Sequence, residues 1–245
     1  METMENEIIR QRYTRTAGLI GEDGVARLRA SSVILFGVGG VGSYTAEALA
    51  RAGIGRLILV DGDAVAPSNL NRQLIADVTT VGMRKVDAAK ARIAEIAPDC
   101  RVETYDLFYL PENADQIDFT GLSYAADAVD TVSAKIAIIE RARAAGVPVI
   151  SCMGTGNKLH PELFELADIE NTRVCPLARV IRLELKLRGI RGVKAVYSKE
   201  EPLTAGLTAE ADSPRRSVPA SIAFVPGAAG LIMAGEIVRG ILAGA

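Results

Sequence analysis

Short apolar runs alternate with amphipathic segments through the first part of this 245-residue chain. The runs have the length and the β-branched content of buried strands, whereas the segments between them carry helical periodicity. Strands are predicted at 33–36, 56–61, 101–105, 124–129 and 147–152, with the clearest helices at 82–97 and 131–145. This alternation predicts an α/β fold with a Rossmann-like, doubly wound and mostly parallel sheet.

We expect the whole chain, 1–245, to form a single domain with three parts. Residues 1–30 are predicted to be an N-terminal helical arm with short helices on either side of Gly21, 31–152 a nucleotide-binding core, and 153–245 a C-terminal α+β extension. The extension is predicted to hold strands at 163–169 and within 189–197, a basic helix from 175 or 176 to 188, a mobile loop at 199–219 and an apolar helix at 225–242.

The apolar stretch 225–242 is the one segment that could be mistaken for a membrane helix. It contains Glu236 and Arg239, is short for a span and is rich in Gly and Ala. We therefore interpret it as a buried packing helix, with no membrane span. The charged N-terminal segment 1–12 lacks the apolar region of a signal peptide, so a cytoplasmic location is expected.

A glycine-rich turn follows the first predicted strand directly. Residues 37–42 read Gly-Val-Gly-Gly-Val-Gly, and the second strand ends at Asp61. Gly37 would permit a tight turn, Gly39 would let backbone N–H groups approach a phosphate, and Gly42 would bring the helix close to the strand. Asp61 lies where a carboxylate can accept hydrogen bonds from a ribose. The pattern predicts a nucleotide site, with a tight turn that binds no ligand as the alternative.

Cations and acids in the predicted loops favour a triphosphate over a nicotinamide. Arg72 and Lys85 can neutralise β- and γ-phosphates, and Asp130 can hold Mg²⁺. The single histidine, His160, lies outside the predicted core, which argues against a dehydrogenase. The set suits attack of a carboxylate on the α-phosphate of ATP, which gives an acyl-adenylate and pyrophosphate.

Each of these polar residues also has a simpler interpretation. Lys85 and its neighbours Lys90 and Arg92 fall off the apolar face of their helix and could be solvated. Arg72 could pair with Asp63, and Asp130 could cap the next helix. Asn69 and Asn71 could simply form turns, which is the turn-forming alternative for these two residues.

Basic residues are concentrated between 173 and 199, although the net charge of the chain is −2. Eight basic side chains face one acid there, Glu184. The helical spacing places Arg179, Arg182 and Lys186 on one face and predicts that Val180, Leu183 and Leu187 face inward. Arg215 and Arg216 follow in the predicted loop. A positive patch on a near-neutral protein is typical of binding to a phosphate backbone, with a solvated basic helix as the alternative.

The three cysteines are too scattered for a zinc site or a disulfide framework. Cys100 and Cys152 lie at strand ends, where packing is the expected role. Cys175 begins the basic helix, where a thiol can have a lowered pKa, so a nucleophilic role is left open beside a structural one.

The motifs together resemble the ThiF/MoeB/HesA group of the ubiquitin-activating-enzyme-like superfamily. They are the glycine turn, Asp61-x-Asp63, Asn69-x-Asn71-Arg72-Gln73, Lys85 and Asp127-Ala-x-Asp130. The resemblance implies ATP as substrate, Mg²⁺ bound by Asp130, and a homodimer in which Arg15 reaches into the partner's ATP site. The implied ATP-binding residues are Gly37, Gly39, Gly40, Gly42, Asp61, Asp63, Asn69, Asn71, Arg72, Gln73 and Lys85, and the implied catalytic residues are Arg15, Arg72, Lys85 and Asp130.

Within this group, the C-terminal part resembles the enzymes that dehydrate threonylcarbamoyladenosine in tRNA. The similar stretches are 176–179, 196–202 and 221–227, and the Cys-x-x-Cys pairs of zinc-binding relatives are missing. Cys175 departs from this pattern, because an Asp is expected there. The resemblance implies no zinc and a tRNA partner that carries threonylcarbamoyladenosine, bound by Arg179, Arg182, Lys186, Arg215 and Arg216.

The implied reaction adenylates the carboxylate of threonylcarbamoyladenosine with ATP and then closes a ring within the same side chain, with net loss of water. One alternative is adenylation of the C-terminal glycine of a ubiquitin-like sulfur-carrier protein. Another is a nucleotide-binding scaffold without activity. A monovalent cation, K⁺ or Na⁺, and a sulfur-transfer partner of the cysteine desulfurase system remain open.

Overall fold

A seven-stranded sheet forms the centre of the computed structural model, which describes residues 11–204 and 219–244. The strand order is β3-β2-β1-β4-β5-β7-β6, and only β6 runs antiparallel to its neighbour. This arrangement confirms the predicted fold class. The strands are β1 (Ser32–Phe36), β2 (Arg56–Val60), β3 (Arg101–Tyr105), β4 (Tyr124–Asp127), β5 (Val149–Cys152), β6 (Phe164–Asp168) and β7 (Lys194–Ser198).

Helices cover both faces of the sheet and bury two hydrophobic clusters. One face packs against α2, α3 and α6, and the other against α4 and α5. Because β7 pairs in parallel with β5, the C-terminal extension continues the core sheet. The helices of the described residues are α1 (Thr14–Arg29), α2 (Gly42–Ala52), α3 (Lys85–Ile96), α4 (Val132–Ala144), α5 (Pro176–Leu187) and α6 (Phe224–Ala243).

Helix α1 of the N-terminal arm consists of two helical pieces that meet at a kink, as the sequence predicts for the two sides of Gly21. Gly21 has φ 76° and ψ 164° inside α1, a conformation that only glycine adopts readily. Just before α1, Arg12 forms a 2.9 Å ion pair with Asp99 and lies over the ring of Tyr13. These contacts fix the start of the arm on the core.

Helix α6 packs closely on α2 and reaches the glycine-rich turn. Thr45 donates a hydrogen bond of 3.1 Å to the carbonyl of Gly230, where a Cβ would lie 2.4 Å from the carbonyl oxygen of Val41. By length and a mean hydropathy of 1.4 the helix could cross a membrane, but half of it is buried in the protein. The contacts with α2 agree with the interpretation as a packing helix.

The prediction that Val180, Leu183 and Leu187 face inward is wrong. All three are exposed, whereas Ala178, Ile181 and Leu185 are completely buried on the other side of α5. The helix carries two apolar stripes, and periodicity alone does not select between them. Residues 205–218 of the predicted loop, with Arg215 and Arg216, lie outside the described residues.

Candidate functional site

A cavity of about 940 Å³ opens at the carboxyl ends of β1, β2 and β4. The strand order reverses between β1 and β4, which is where open α/β sheets bind their ligands. The structure brings most of the sequence-predicted site residues together here, and they are Gly37, Gly39, Gly40, Asp61, Asp63, Asn69, Arg72, Gln73, Lys85 and Asp130. Arg15, Gly42 and Asn71 do not line the cavity.

The glycines of the turn serve two different purposes. Gly37 has φ +84°, and a Cβ there would lie 2.8 Å from the carbonyl oxygen of Ala128. A Cβ at Gly42 would lie 1.8 Å from the carbonyl oxygen of Gly37, so both glycines are required by the packing of the chain itself. At Gly39, which lines the cavity, a Cβ would meet only the Gln73 side chain at 3.7 Å. The missing side chain of Gly39 therefore leaves room for a ligand.

Asp61 connects the end of β2 to the glycine turn. Its Oδ2 accepts a hydrogen bond of 2.7 Å from the N–H of Val38, and its Oδ1 accepts one of 2.9 Å from Asp63. Burial raises the pKa of Asp61, while nearby Lys85 and the two backbone donors act to lower it. Each carboxylate oxygen has a second lone pair, so Asp61 can hold the turn and still accept a ribose hydroxyl.

Lys85 is not a solvated helix residue. Its side chain is 7% exposed, and its Nζ lies 2.6 Å from Oδ2 of the half-exposed Asp63. Lys85 begins α3, and its backbone N–H donates to the carbonyl of Asp63 at 3.0 Å. The geometry therefore pairs Asp63 with Lys85 rather than with Arg72.

Arg72 is held by its own loop at the rim of the cavity. Its Nη1 donates to the carbonyl of Ser68 and to Oδ1 of Asn71, both at 2.8 Å. Asn71 in turn donates to the carbonyl of Ser221 at 3.0 Å. Asn71 therefore orients Arg72 and anchors the segment before α6, while its own side chain stays outside the cavity lining.

The amides of Asn69 and Gln73 behave differently. Oδ1 of Asn69 accepts the N–H of Ala66 at 3.0 Å and stabilises the turn at 67–69, as the turn-forming alternative predicts. Oε1 of Gln73 is buried at the cavity, and no donor from the described residues reaches it. An unsatisfied buried acceptor is costly, so Gln73 is suited to accept a hydrogen bond from a ligand.

Asp130 lies in the turn between β4 and α4, on the wall of the cavity. The cap position of α4 is Thr131, which argues against a capping role for Asp130. The described residues contain no group of three or more His, Cys, Asp or Glu side chains that would enclose a metal. Mg²⁺ is often bound by one or two carboxylates together with substrate phosphates, so the Asp130 carboxylate at the cavity fits this ion.

The cavity includes residues that the sequence reasoning missed. After β3, an apolar wall runs from Leu107 to Leu110, in which Phe108 is 61% exposed. Phe108 lies so near Gly62 that a Cβ there would be 2.7 Å from its ring. Thr155, Ser221 and Pro226 also line the cavity. Apolar wall residues cannot be told from core residues in a sequence. Of these missed segments, only the stretch 221–227 was singled out beforehand, through its resemblance to the tRNA-modifying enzymes.

The basic region is partly neutralised in the folded chain. Arg182 donates to Thr172 at 2.9 and 2.8 Å, which holds the end of the loop before α5. Arg179 and Lys186 are exposed, and no carboxylate of the described residues lies within ion-pair distance of them. Other basic residues do pair with acids: Arg188 with Glu140 and Glu184, Lys194 with Asp168, and Lys199 with Glu165.

All three cysteines are poorly placed for nucleophilic chemistry. Burial raises the pKa of Cys152 to about 12 and that of Cys100 to about 11. Cys175 is 3% exposed and does not line the cavity.

Replacing Cys175 by Ala is therefore expected to leave ATP-dependent turnover within about twofold of wild type, because the change removes no group that contacts the reacting atoms. Initial rates of pyrophosphate release from the two proteins test this. A loss of activity of about 100-fold or more, in a variant whose circular dichroism spectrum is unchanged, would instead indicate a covalent role for the thiol.

The chain is similar to known proteins over nearly its whole length. It is 42% identical over 239 residues to a tRNA threonylcarbamoyladenosine dehydratase of Bacillus subtilis, which covers 94% of each chain. It is 33% identical over 151 residues to the enzyme of that name from Escherichia coli, covering 56% of each. The crystal structure of the E. coli enzyme, TcdA, in complex with ATP matches 100% of this chain and 98% of that one, with a TM-score of 0.87 and 32% identity.

The match to a family model covers both the sheet and the residues that line the cavity. The ThiF family model matches residues 13–244, from the residue before α1 to the end of α6. The match therefore includes the glycine turn, the 61–73 loop and the C-terminal segment that closes the cavity. This chain belongs to the ThiF family.

Proposed function

We propose that this protein uses ATP to activate the carboxylate of threonylcarbamoyladenosine in tRNA and then cyclises that side chain, with net loss of water. The observation that carries the proposal is the cavity, which gathers the glycine turn, Asp61, Arg72, Lys85 and Asp130 at one edge of the sheet. The relatives from Bacillus subtilis and Escherichia coli described above are tRNA threonylcarbamoyladenosine dehydratases.

The lining suggests how ATP binds. The phosphates lie at the glycine turn, where the backbone N–H groups and the N-terminus of α2 favour an anion. Asp61 receives the ribose, and the apolar wall at 107–110 receives the adenine ring. Gln73 supplies an acceptor that no donor of the described residues occupies.

The residues act by positioning and by neutralising charge. A carboxylate oxygen of the substrate attacks the α-phosphorus, and pyrophosphate leaves with the electrons of the broken P–O bond. Arg72 and Lys85 stabilise the charge that accumulates on the phosphate oxygens. Asp130 would hold Mg²⁺, which neutralises part of the triphosphate charge when it is bound.

The second step needs no protein nucleophile. A group of the same threonylcarbamoyl side chain attacks the activated carbonyl, loses its proton and displaces AMP. Holding the two ends of one side chain close together makes this step effectively unimolecular. The buried state of Cys175 agrees with a route that lacks a thioester.

The proposal extends to a second copy of the chain, to the location in the cell and to the contacts with tRNA. Arg15 is exposed on α1 and outside the cavity of its own subunit, as expected if it completes the ATP site of a second copy in a homodimer. A tRNA substrate supports the cytoplasmic location that the sequence predicts. The exposed Arg179 and Lys186 contact the phosphate backbone of the tRNA, whereas Arg182 supports the loop at Thr172.

The double change Arg179→Glu with Lys186→Glu is expected to weaken tRNA binding by about tenfold or more at moderate salt, because phosphate contacts dominate such affinities. The affinity for ATP should not change. Filter binding at several salt concentrations measures the loss of tRNA affinity. The affinity of the variant should also depend less steeply on salt than that of wild type. Lys90→Glu with Arg101→Glu makes the same charge change on α3 and β3 and serves as the control. Equal tRNA affinity of the two variants would contradict the assignment of α5.

Exchange of labelled pyrophosphate into ATP tests the activation step. The proposal predicts exchange that requires tRNA carrying threonylcarbamoyladenosine and is not supported by unmodified tRNA. Exchange that requires a ubiquitin-like sulfur-carrier protein instead would favour the alternative substrate. Exchange with neither would favour a nucleotide-binding scaffold.

A further inference from the structure

A lysine ammonium group is completely buried beneath the cavity. Lys135 lies in α4, and neither its side chain nor that of Asp127 is exposed. Its Nζ lies 3.0 Å from Oδ2 of Asp127, 3.3 Å from Oγ of Ser151 and 2.7 Å from the carbonyl oxygen of Cys152. The three N–H donors of the ammonium group thus have three acceptors.

Burial of this ion pair is costly, and the apolar helix face around it does not require one. The inner face of α4 is otherwise apolar, with Ile138 and Ile139 completely buried in the same layer. A well-packed apolar residue in place of a buried ion pair is often neutral or stabilising. The ion pair therefore suggests a role other than stability.

The contacts lead from Lys135 to the wall of the cavity. Oδ2 of Asp127 also accepts a hydrogen bond of 2.5 Å from Ser151, and its Oδ1 accepts the N–H of Val129 at 3.2 Å. Val129 and Asp130 both belong to the turn that lines the cavity. Lys135 thus joins the ends of β4 and β5 to this turn from below.

The same turn supports the glycine-rich turn. A Cβ at Gly37 would lie 2.8 Å from the carbonyl oxygen of Ala128 and 3.1 Å from the nitrogen of Val129. A displacement of the turn at 128–131 would therefore also displace the glycine-rich turn at 37–42, and both turns line the cavity. The side chain of Lys135 itself does not line the cavity.

We propose that Lys135 is a positioning residue, which acts through Asp127 and Ser151 to fix the turn at 128–131. The fixed turn holds Asp130 in the position where it would bind Mg²⁺ together with ATP. This inference rests on the proposed function, because it requires that Asp130 binds Mg²⁺ together with ATP. Lys135 itself contacts neither the nucleotide nor the metal.

The test compares the affinity for ATP with Mg²⁺ and with EDTA, by isothermal titration calorimetry. The first variant combines Lys135→Met with Asp127→Asn, so that no unpaired charge is buried. We expect its affinity for ATP in EDTA to stay close to that of wild type. The gain in affinity that Mg²⁺ confers should fall by about tenfold, as is typical when a partner that orients a metal ligand is lost.

Two further variants make the result decisive. Ser151→Ala keeps both charges and removes only the two hydrogen bonds that its Oγ makes with Asp127 and Lys135, so we expect a smaller loss of the same kind. This variant tests the proposal even if the double variant does not fold. Ile138→Ala opens a cavity in the same helix without removing any hydrogen bond of the cluster, and it should keep the full Mg²⁺ effect.

An unchanged Mg²⁺ effect in both cluster variants would overturn the positioning role and leave the proposed function intact. A wild-type protein that binds ATP equally well with and without Mg²⁺ would overturn the metal assignment of Asp130, and this inference with it.

Discussion

Replacing Asp130 by Ala is expected to lower ATP-dependent turnover by about 100-fold or more, which is typical for loss of a group that stabilises charge in the transition state. Asp130 lines the cavity in the turn before α4 and is the carboxylate assigned to Mg²⁺. Its loss should leave the glycine turn, Asp61 and the apolar wall at 107–110 in place. The affinity for ATP without metal should therefore change little.

Rates of pyrophosphate release at several Mg²⁺ concentrations test this prediction. The expected result is a lower maximal rate together with a higher Mg²⁺ requirement. Asp115→Ala removes an exposed carboxylate outside the cavity and should behave like wild type. Turnover that survives intact in the Asp130 variant would show that the metal is held elsewhere.

Replacing Gly42 by Ala is expected to cost about 2–3 kcal/mol of stability, at the upper end of what overpacking costs. The added Cβ would lie 1.8 Å from the carbonyl oxygen of Gly37. Since the added Cβ clashes with a main-chain oxygen, no side chain can move aside to relieve the contact. The start of α2 or the glycine turn must shift, and the affinity for ATP should fall by about tenfold, which corresponds to about 1.4 kcal/mol.

Gly18→Ala is the matched control, because a Cβ at Gly18 meets nothing within 4 Å and the residue lies inside α1. This change is expected to be neutral or to stabilise the helix by up to about 1 kcal/mol. Urea unfolding gives the two stabilities, and calorimetric titration gives the two affinities. A Gly42 variant as stable as wild type would mean that the turn can relax, contrary to the packing described above.

The core sheet could be predicted from the sequence because its signals are local. The strand at 101–105 has the predicted bounds, and the glycine turn leads from β1 into α2 as expected. Apolar runs predict the central strands β1 and β2, and residues that tolerate positive φ, such as Gly37, predict the turn. The fold class followed from their alternation.

The details of the site depend on contacts between distant segments, and the sequence could not supply them. The helical pattern left Lys85 open as a solvated residue, yet its pairing with Asp63 buries it. The prediction of which face of α5 points inward was wrong because this helix carries two apolar stripes. The wall around Phe108 and the tie between Asn71 and Ser221 bring together residues far apart in the chain.

The most direct test is a nucleoside assay by mass spectrometry. Purified protein, ATP and Mg²⁺ are incubated with tRNA that carries threonylcarbamoyladenosine, and the nucleosides are then analysed after digestion. The account predicts that the modified nucleoside loses the mass of one water molecule and that AMP and pyrophosphate appear in equal amounts. An unchanged nucleoside, under conditions in which the protein binds both ATP and the tRNA, would contradict the account.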